Sequence, residues 1–249
     1  MAIYVTGDTH GQFQRLGPEL FPEQEAFTRE DYLLVCGDFG GVWSGEPEDA
    51  EKLDWLEARP FTTLFVCGNH ENFDELYSYP VEQWHGGLVH RVRPHVLHLM
   101  RGQIFSLCGR SFFTMGGARS VDIRDGLLDP EEPGFEERFW KLYKRRAMFR
   151  VKHLSWWEQE LPSDAEYKTA RRNLADAGCK VDFIVTHCAP DSIQDAISGG
   201  RQRHDRLTAF LEEIRRDTQF GYWFFGHYHG NHVYEGRFIL LYEQIIQIE

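Results

Sequence analysis

Five short apolar runs, each closed by polar side chains that can bind a metal ion, most constrain what this chain can fold into. The runs cover residues 2–6, 32–36, 62–67, 182–186 and 222–225. The segments at their ends read GDTHG, GDFGG, GNHE, THCAP and GHYH. Apolar runs of this length without alternation predict strands buried on both faces. Because open α/β sheets hold their ligands just beyond the carboxyl ends of strands, we expect a functional site there.

Helical patterns separate these strands. Residues 47–56 begin with proline and acidic residues and repeat their apolar positions at helical spacing. A second helix is predicted after Ser163, which can form a capping box with Glu166, and Gly178 supplies a C-terminal stop. Residues 207–214 carry apolar side chains three and four positions apart, which predicts a third helix.

Antiparallel strands are predicted in the middle and at the end of the chain. Residues 89–115 indicate several such strands. Residues 232–248 indicate a hairpin that turns at Glu235 and Gly236, followed by a further strand. We therefore expect an α/β chain of the α+β type, with two sheets packed face to face as a sandwich and helices outside. A single domain over residues 1–249 is predicted.

The segment 122–150 differs in composition from its surroundings, because it contains DPEEPGFEER and then KLYKRR. Two interpretations fit this pattern. One is a solvated excursion that ends in an amphipathic helix. The other is a cap, over about residues 118–160, that overhangs a functional site.

The composition favours a globular protein and excludes several other classes. Of the 249 residues, 42% are hydrophobic and 27% are charged, which excludes a disordered or collagen-like chain. The net charge of −12 disfavours long nucleic acids and anionic membranes as partners. There is no apolar run of about 18 residues and no leader in the first ten residues, so we expect no membrane span. Five cysteines without a CxxC pair favour reduced thiols and a cytoplasmic location.

The segments at the strand ends supply seven candidate metal ligands. They are Asp8, His10, Asp38, Asn69, His187, His227 and His229. A Gly-Asp pair after a strand is usually only a turn, but five polar segments in the same position relative to their strands indicate one site. Carboxylates, imidazoles and an amide suit Mn²⁺, Fe²⁺, Zn²⁺ or Ni²⁺. Seven ligands suffice for two ions about 3.5–4 Å apart that share one carboxylate.

Two pairs of these ligands are two residues apart along the chain. Asp8 pairs in this way with His10, and His227 with His229. In an extended segment, side chains two positions apart point to the same side. The spacing therefore predicts that each pair lies on one side of an extended segment.

In their order along residues 7–230, the five segments resemble the five-block signature of the calcineurin-like metallophosphoesterase superfamily. The resemblance implies a two-sheet sandwich flanked by helices, with a dinuclear metal centre at the strand ends. It implies that one ion is held by Asp8, His10 and His229, and the other by Asn69, His187 and His227. It also implies that Asp38 bridges the ions and that His70 acts beside the phosphoryl group as an acid or charge stabiliser. Of divalent ions we expect Mn²⁺ first, with iron, zinc, nickel or magnesium as alternatives.

The function expected from this resemblance is a metal-dependent phosphoesterase that hydrolyses phosphomonoesters. Two divalent ions would neutralise the phosphate oxygens and lower the pKa of a bridging water, so that a hydroxide attacks in line. One alternative is a phosphodiesterase or nuclease that acts on cyclic nucleotides or short nucleic acids. Another is a non-catalytic metal-binding scaffold, which is disfavoured because every ligand position is filled.

The sequence departs from the protein Ser/Thr phosphatase branch at a phosphate-binding position. That branch carries an aspartate three residues after the bridging aspartate and then an arginine, where this chain has Gly41 and Val42. The loop MGGARSVDIRDG resembles one in uncharacterised bacterial and phage members of the superfamily. It offers Arg119 or Arg124 for substrate binding, since a planar guanidinium matches phosphate oxygens. Surface charge explains both arginines equally well.

Overall fold

The computed structural model describes residues 1–45 and 47–249, which contain fifteen strands and six α-helices. The strands are β1 (Ile3–Thr6), β2 (Tyr32–Val35), β3 (Thr62–Phe65), β4 (Val81–Trp84), β5 (Gly87–Arg93), β6 (Val96–Leu99), β7 (Gln103–Leu107), β8 (Arg110–Met115), β9 (Gly126–Leu128), β10 (Phe149–Val151), β11 (Phe183–Thr186), β12 (Tyr222–Phe225), β13 (His232–Tyr234), β14 (Phe238–Leu240) and β15 (Ile245–Gln247). The helices are α1 (Pro47–Glu57), α2 (Phe73–Leu76), α3 (Phe135–Lys144), α4 (Asp164–Asp176), α5 (Asp191–Ser198) and α6 (Arg206–Asp217). None of these helices has the length and apolar character needed to cross a membrane.

The strands form two large mixed sheets and one small sheet. The first sheet has seven strands in the order β15-β1-β2-β3-β6-β5-β4, and the second has six in the order β13-β14-β12-β11-β8-β7. Strands β9 and β10 pair separately and in parallel. With helices packed on the two large sheets, the predicted fold class is confirmed.

Successive residues of the central strands belong to different apolar layers. In β1, Ile3 and Val5 join a cluster with residues of both sheets, whereas Tyr4 joins the cluster that packs α1 on the first sheet. In β11, Val185 belongs to the layer between the sheets, whereas Ile184 packs with residues of α4 and α6. Burial on both faces explains why these strands are continuous apolar runs in the sequence.

The three helices predicted with explicit bounds all form. The capping box at the start of α4 is present: the Ser163 hydroxyl accepts a hydrogen bond from the Glu166 N–H, and the Glu166 carboxylate accepts one from the Ser163 N–H. Gly178 follows α4 with a left-handed φ of 66°. The amphipathic helix expected in the acidic excursion corresponds to α3. Helices α2 and α5 were not predicted, because one or two turns give little periodicity.

The middle stretch, residues 89–115, is divided between the two sheets. Strands β5 and β6 pair antiparallel in the first sheet, and β7 and β8 pair antiparallel in the second. Each pair also has a parallel neighbour, since β6 lies beside β3 and β8 lies beside β11. The predicted hairpin at the end of the chain is confirmed as β13 and β14, and β15 crosses back to pair with β1.

Trp223 provides a test of the core of the second sheet. This side chain is fully buried, and its Nε1 donates a hydrogen bond of 2.8 Å to the hydroxyl of Thr186. We expect Trp223→Ala to lower the free energy of unfolding by about 3–5 kcal/mol, because it leaves a large cavity. Urea denaturation followed by circular dichroism measures this change. In the matched control, Trp140→Ala, the side chain is 53% exposed and the change should stay within about 0.5 kcal/mol. Equal losses in both variants would contradict the proposed core.

Candidate metal centre

The strand order brings the five polar segments together. Strands β1, β2 and β3 are parallel neighbours in the first sheet, and β11 and β12 are parallel neighbours in the second. Parallel strands present their carboxyl ends at one edge of a sheet, and the packed sheets place the two edges side by side. The candidate ligands follow these strand ends: Asp8, His10, Asp38, Asn69, His187, His227 and His229.

Four of these candidate ligands form a compact cluster. Asp8, His10, Asp38 and His229 each offer one ligand atom, and these atoms all lie within 4.8 Å of one another. The Nε2 of His229 is 3.1 Å from Asp8 Oδ2 and 3.2 Å from the Nε2 of His10. Atoms that are about 2.0–2.2 Å from a common ion lie about 3–3.5 Å from each other, and these two distances fall in that range. The 3.9 Å between His10 Nε2 and Asp8 Oδ2 would have to shorten when these side chains bind one ion.

The other three candidates gather near the second oxygen of Asp38. The Nε2 of His187 is 3.2 Å from Asp38 Oδ1 and 3.3 Å from Asn69 Oδ1. The ring of His227 is 5.0 Å from that of His187, measured between centroids. The Oδ2 of Asp38 is 3.8 Å from the Nε2 of His10. Asp38 thus has one oxygen toward each group, which is the placement that a bridging carboxylate needs.

The charge of this site fits a cation. Asp8 and Asp38 are each 1% exposed, and buried carboxylates need a positive partner. Burial works to lower the pKa of His187, but Asp38 and Asp8 outweigh this effect and raise it to about 9. Burial works to raise the pKa of Asp38, but His187 and His70 outweigh it and lower that pKa. A divalent ion bound to these ligands would supply the charge that the imidazole proton supplies without it.

The hydrogen bond at the far side of the His187 ring prepares this side chain for a metal. Its Nδ1 lies 2.8 Å from the carbonyl oxygen of Cys36, which can only accept a hydrogen bond. In the neutral ring the proton is therefore on Nδ1, and the lone pair of Nε2 faces Asp38 and Asn69. Metal-binding histidines are commonly oriented in this way.

A chain of hydrogen bonds also orients the Asn69 amide. Its Nδ2 donates to the hydroxyl of Ser120 at 3.3 Å, and that hydroxyl donates to Glu160 Oε2 at 2.6 Å. The N–H of Ser120 donates to the other oxygen of Glu160 at 3.0 Å. Because Nδ2 is engaged, Oδ1 of Asn69 is the atom that faces His187. The loop MGGARSVDIRDG therefore contacts a candidate ligand through Ser120.

Two motif glycines are required because a candidate ligand from another strand end, in the same sheet for Gly68 and in the facing sheet for Gly226, fills the space that their side chains would need. A Cβ on Gly68 would lie 2.0 Å from Asp38 Oδ1, and a Cβ on Gly226 would lie 2.0 Å from Asp8 Oδ1. No other residue type fits in this space without moving a carboxylate. These glycines let adjacent strand ends approach closely enough to share a metal site.

The extended backbone predicted for the ligand pairs is wrong. His10, His227 and His229 have φ values of 47°, 67° and 46°, in the left-handed region that non-glycine residues rarely adopt. The chain turns sharply after each strand instead of continuing in an extended form. As a result, His227 lies beside His187 whereas His229 joins the compact cluster. Asp8 and His10 still meet in that cluster, so only the extended backbone is wrong for this pair. Such conformations cost of order 1–3 kcal/mol each and are concentrated at functional sites.

His70 lies at the edge of this centre and borders a cavity of about 410 Å³. The backbone N–H of His70 donates a hydrogen bond of 2.8 Å to Asp38 Oδ1, and the centroid of the His70 ring is 5.5 Å from that of His10. Burial lowers the pKa of His70, Asp38 opposes this change, and the charge of Arg150 adds to it. A neutral imidazole can still donate an N–H hydrogen bond to an oxygen that gains negative charge.

The two arginines predicted for substrate binding lie apart from this cavity. Arg119 and Arg124 are exposed, and the Nη2 of Arg124 is 2.5 Å from the sulfur of Met148. Among the residues that the structure describes, the cavity lining includes Arg150 and neither of the predicted arginines. A role for Arg119 or Arg124 therefore stays a prediction from the sequence.

Several residues that hold the site in place were missed in the sequence. The Glu71 carboxylate accepts hydrogen bonds from three backbone N–H groups in the segments that carry Asp38 and Asn69. Arg15 donates to the carbonyl oxygen of Asp8 at 2.9 Å. The ring of Tyr242 stacks on His229, with the centroids 4.6 Å apart. Glu71 is the last letter of GNHE and could have been found from the motif, whereas Arg15 and Tyr242 follow no local pattern.

Most of this chain matches one known protein family. A model of the family described as calcineurin-like phosphoesterase matches residues 1–231, so the class is that of enzymes that hydrolyse phosphate esters. This chain belongs to the calcineurin-like phosphoesterase family. The superfamily resemblance seen in the sequence is thereby confirmed.

Two lariat debranching enzymes are similar to this chain at low identity. Lariat debranching enzyme from Drosophila pseudoobscura pseudoobscura is 24% identical over an alignment of 262 positions, which covers 92% of this chain and 42% of the relative. Lariat debranching enzyme A from Xenopus laevis is 24% identical over an alignment of 172 positions, which covers 62% of this chain and 31% of the relative. The chain thus spans less than half the length of these relatives.

Ser120 provides a test of the support around the candidate ligands. We expect Ser120→Ala to weaken metal binding by about 10- to 100-fold, because the Asn69 amide loses the partner that orients it. Titration of the metal-free protein with Mn²⁺ in a calorimeter measures the affinity. Ser106→Ala, at an exposed position in β7, is the matched control and should bind as the unchanged protein does. An affinity within twofold for Ser120→Ala would show that this hydrogen bond does not orient a ligand.

Proposed function

We propose that this protein hydrolyses compact phosphate esters at the centre formed by the seven candidate ligands, with phosphomonoesters preferred. The observation that supports this most strongly is the meeting of two buried carboxylates with four imidazoles and an amide beside a cavity that His70 borders. The family match supports phosphate-ester chemistry. We assign Asp8, His10 and His229 to one ion, Asn69, His187 and His227 to the other, and Asp38 to both.

The side chains of this protein would bind the metal ions, orient the substrate and protonate its leaving oxygen. Bound divalent ions would neutralise the phosphate oxygens and activate water for attack. His70, held against Asp38 through its backbone N–H, would place its ring beside the leaving oxygen and donate a hydrogen bond or a proton to it. Because Asp8 and Asp38 are buried, water would screen the attraction between the bound ions and the phosphate oxygens only weakly.

We propose Mn²⁺ as the first metal to test, with iron, zinc, nickel and magnesium as alternatives. Imidazole and carboxylate ligands are compatible with all of these except that magnesium prefers oxygen alone. We also propose a reducing compartment such as the cytoplasm, since the five cysteines are unpaired in the structure.

A phosphodiester is the second candidate substrate, and two observations favour it. A further cavity of about 460 Å³ borders the centre at different ligands and is lined by His227, His229 and Arg201, among others. With one cavity beside His70 and another beside His229, each of the two ester groups of a diester would have its own space. The two named relatives are lariat debranching enzymes, which favours the same substrate class.

A comparison of aryl phosphates tests the function and the substrate class together. We expect the Mn²⁺-loaded protein to release nitrophenol from 4-nitrophenyl phosphate faster than from bis(4-nitrophenyl) phosphate. Removal of the metal with a chelator should abolish both reactions, and added Mn²⁺ should restore them. Faster turnover of the diester would select the second candidate. No hydrolysis of either compound with any of the five metals would contradict the proposed function.

His70→Ala tests the role of this side chain apart from metal binding. We expect kcat to fall by about 10²- to 10⁴-fold, since the leaving oxygen loses its donor, while metal content stays unchanged. Asp38→Ala should reduce metal content as well as turnover. Mass spectrometry of the bound metal and steady-state kinetics separate the two effects. His232→Ala, at an exposed position in β13, is the control. Loss of metal from His70→Ala would make His70 a ligand instead.

A further inference from the structure

We propose that Arg150 and Lys52 bind the phosphate oxygens of the substrate in the cavity beside His10 and His70. This inference deepens the proposed function and rests on it. Arg150 would take the place of the arginine that this chain lacks after Asp38, where Gly41 and Val42 stand instead.

Arg150 and Lys52 face the same space as the candidate catalytic groups. Both line the cavity of about 410 Å³ that His10 and His70 also line. The cavity is therefore lined by a candidate metal ligand, His10, and the candidate acid, His70, together with two positively charged side chains. A phosphate group is an anion with several acceptor oxygens, and it fits a space where cations and hydrogen-bond donors meet.

The excursion between β8 and α4 carries Arg150 to this position. Arg150 lies in the short strand β10, which pairs in parallel with β9. Its neighbour Phe149 packs edge to face against Phe139 of α3, with the ring centroids 5.5 Å apart. These contacts fix β10 within the excursion, and the Arg150 side chain lines the cavity that His10 and His70 border.

An ion pair fixes the guanidinium of Arg150 and leaves one of its amino groups available. The Nε and Nη2 of Arg150 both donate to Oδ2 of Asp122, the former at 2.9 Å. Within residues 1–45 and 47–249, Nη1 donates no hydrogen bond, so its two N–H groups are available to a ligand. Because Asp122 holds the planar group, little side-chain entropy would be lost on binding.

Lys52 supplies the second charge from α1. Its Nζ lies 3.8 Å from the place that a Cβ on Gly11 would occupy, next to His10. Its ion pair with Glu48, at 2.7 Å, involves a carboxylate side chain that is 76% exposed, and such pairs contribute little. The other acidic group at the cavity, Asp49, accepts hydrogen bonds from the N–H groups of Trp43 and Gly45, so its charge is partly compensated.

Phosphate binding to the metal-loaded protein tests this inference without requiring turnover. We expect Arg150→Ala to weaken the binding of inorganic phosphate, measured by calorimetry, by about 10- to 100-fold, because a charge-assisted hydrogen bond is lost. With the better aryl phosphate, KM should rise by a similar factor while metal content stays unchanged. Arg150→Lys should recover part of the affinity, since it keeps the charge without the planar group. Lys52→Ala should have a smaller effect in the same direction.

The controls distinguish this inference from its alternatives. Arg138→Ala, on the same excursion and paired with Glu132, should leave phosphate binding unchanged. Thermal unfolding of each variant shows whether it is folded. If Arg150→Ala binds phosphate within twofold of the unchanged protein, or if Arg119→Ala or Arg124→Ala causes the larger loss, the inference is wrong. If the unchanged protein binds phosphate but hydrolyses no ester, the proposed function fails and the binding site for phosphate stands.

Discussion

The burial of Asp8 and Asp38 side by side is the constraint on which the rest of the site depends. Each carboxylate is almost inaccessible to water, and two adjacent buried negative charges are unfavourable unless other groups compensate them. Backbone N–H groups do part of this, because His227 donates to Asp8 and His70 donates to Asp38. The imidazole of His187 does another part, as its raised pKa shows. A bound cation would compensate the remaining negative charge, so the same residues that make the site unfavourable without a cation are its candidate metal ligands.

The fold could be predicted from the sequence because its central strands are buried on both faces. Such strands appear as continuous apolar runs, and their ends are marked by the segments that hold the candidate ligands. The arrangement of residues 89–115 was harder to predict, because an antiparallel pattern does not indicate which sheet a hairpin joins. The left-handed turns at His10, His227 and His229 were also missed. Residue spacing gives the side of an extended strand but contains no information on a sharp turn just beyond it.

The groups that orient the ligands come from distant parts of the chain, which is why sequence patterns did not find them. The Asn69 amide donates a hydrogen bond to Ser120, which lies 51 positions further along the chain. Ser120 is held in turn by Glu160, which lies 91 positions after Asn69. Both partners fall within residues 118–160, the range of the predicted cap, but outside the segment 122–150 that could also be a solvated excursion. Their contacts with a candidate ligand support the cap, which we propose. In this arrangement the segment helps to build the site as well as to border it.

The net charge of −12 would by itself repel a phosphate ester, and the arrangement of charge resolves this difficulty. Electrostatic interactions across water are screened beyond about 8–10 Å, so the acidic residues of the distant surface have little effect inside a partly buried cavity. What a bound phosphate would experience is set by its nearest groups: the ions held by the candidate ligands, together with Arg150 and Lys52. The negative surface charge would still repel an approaching anion. A long polyanion would be repelled along its whole length, whereas a small ester would be repelled only through its single phosphate group. This distribution of charge would favour small phosphate esters over long polyanions, in keeping with the function proposed here.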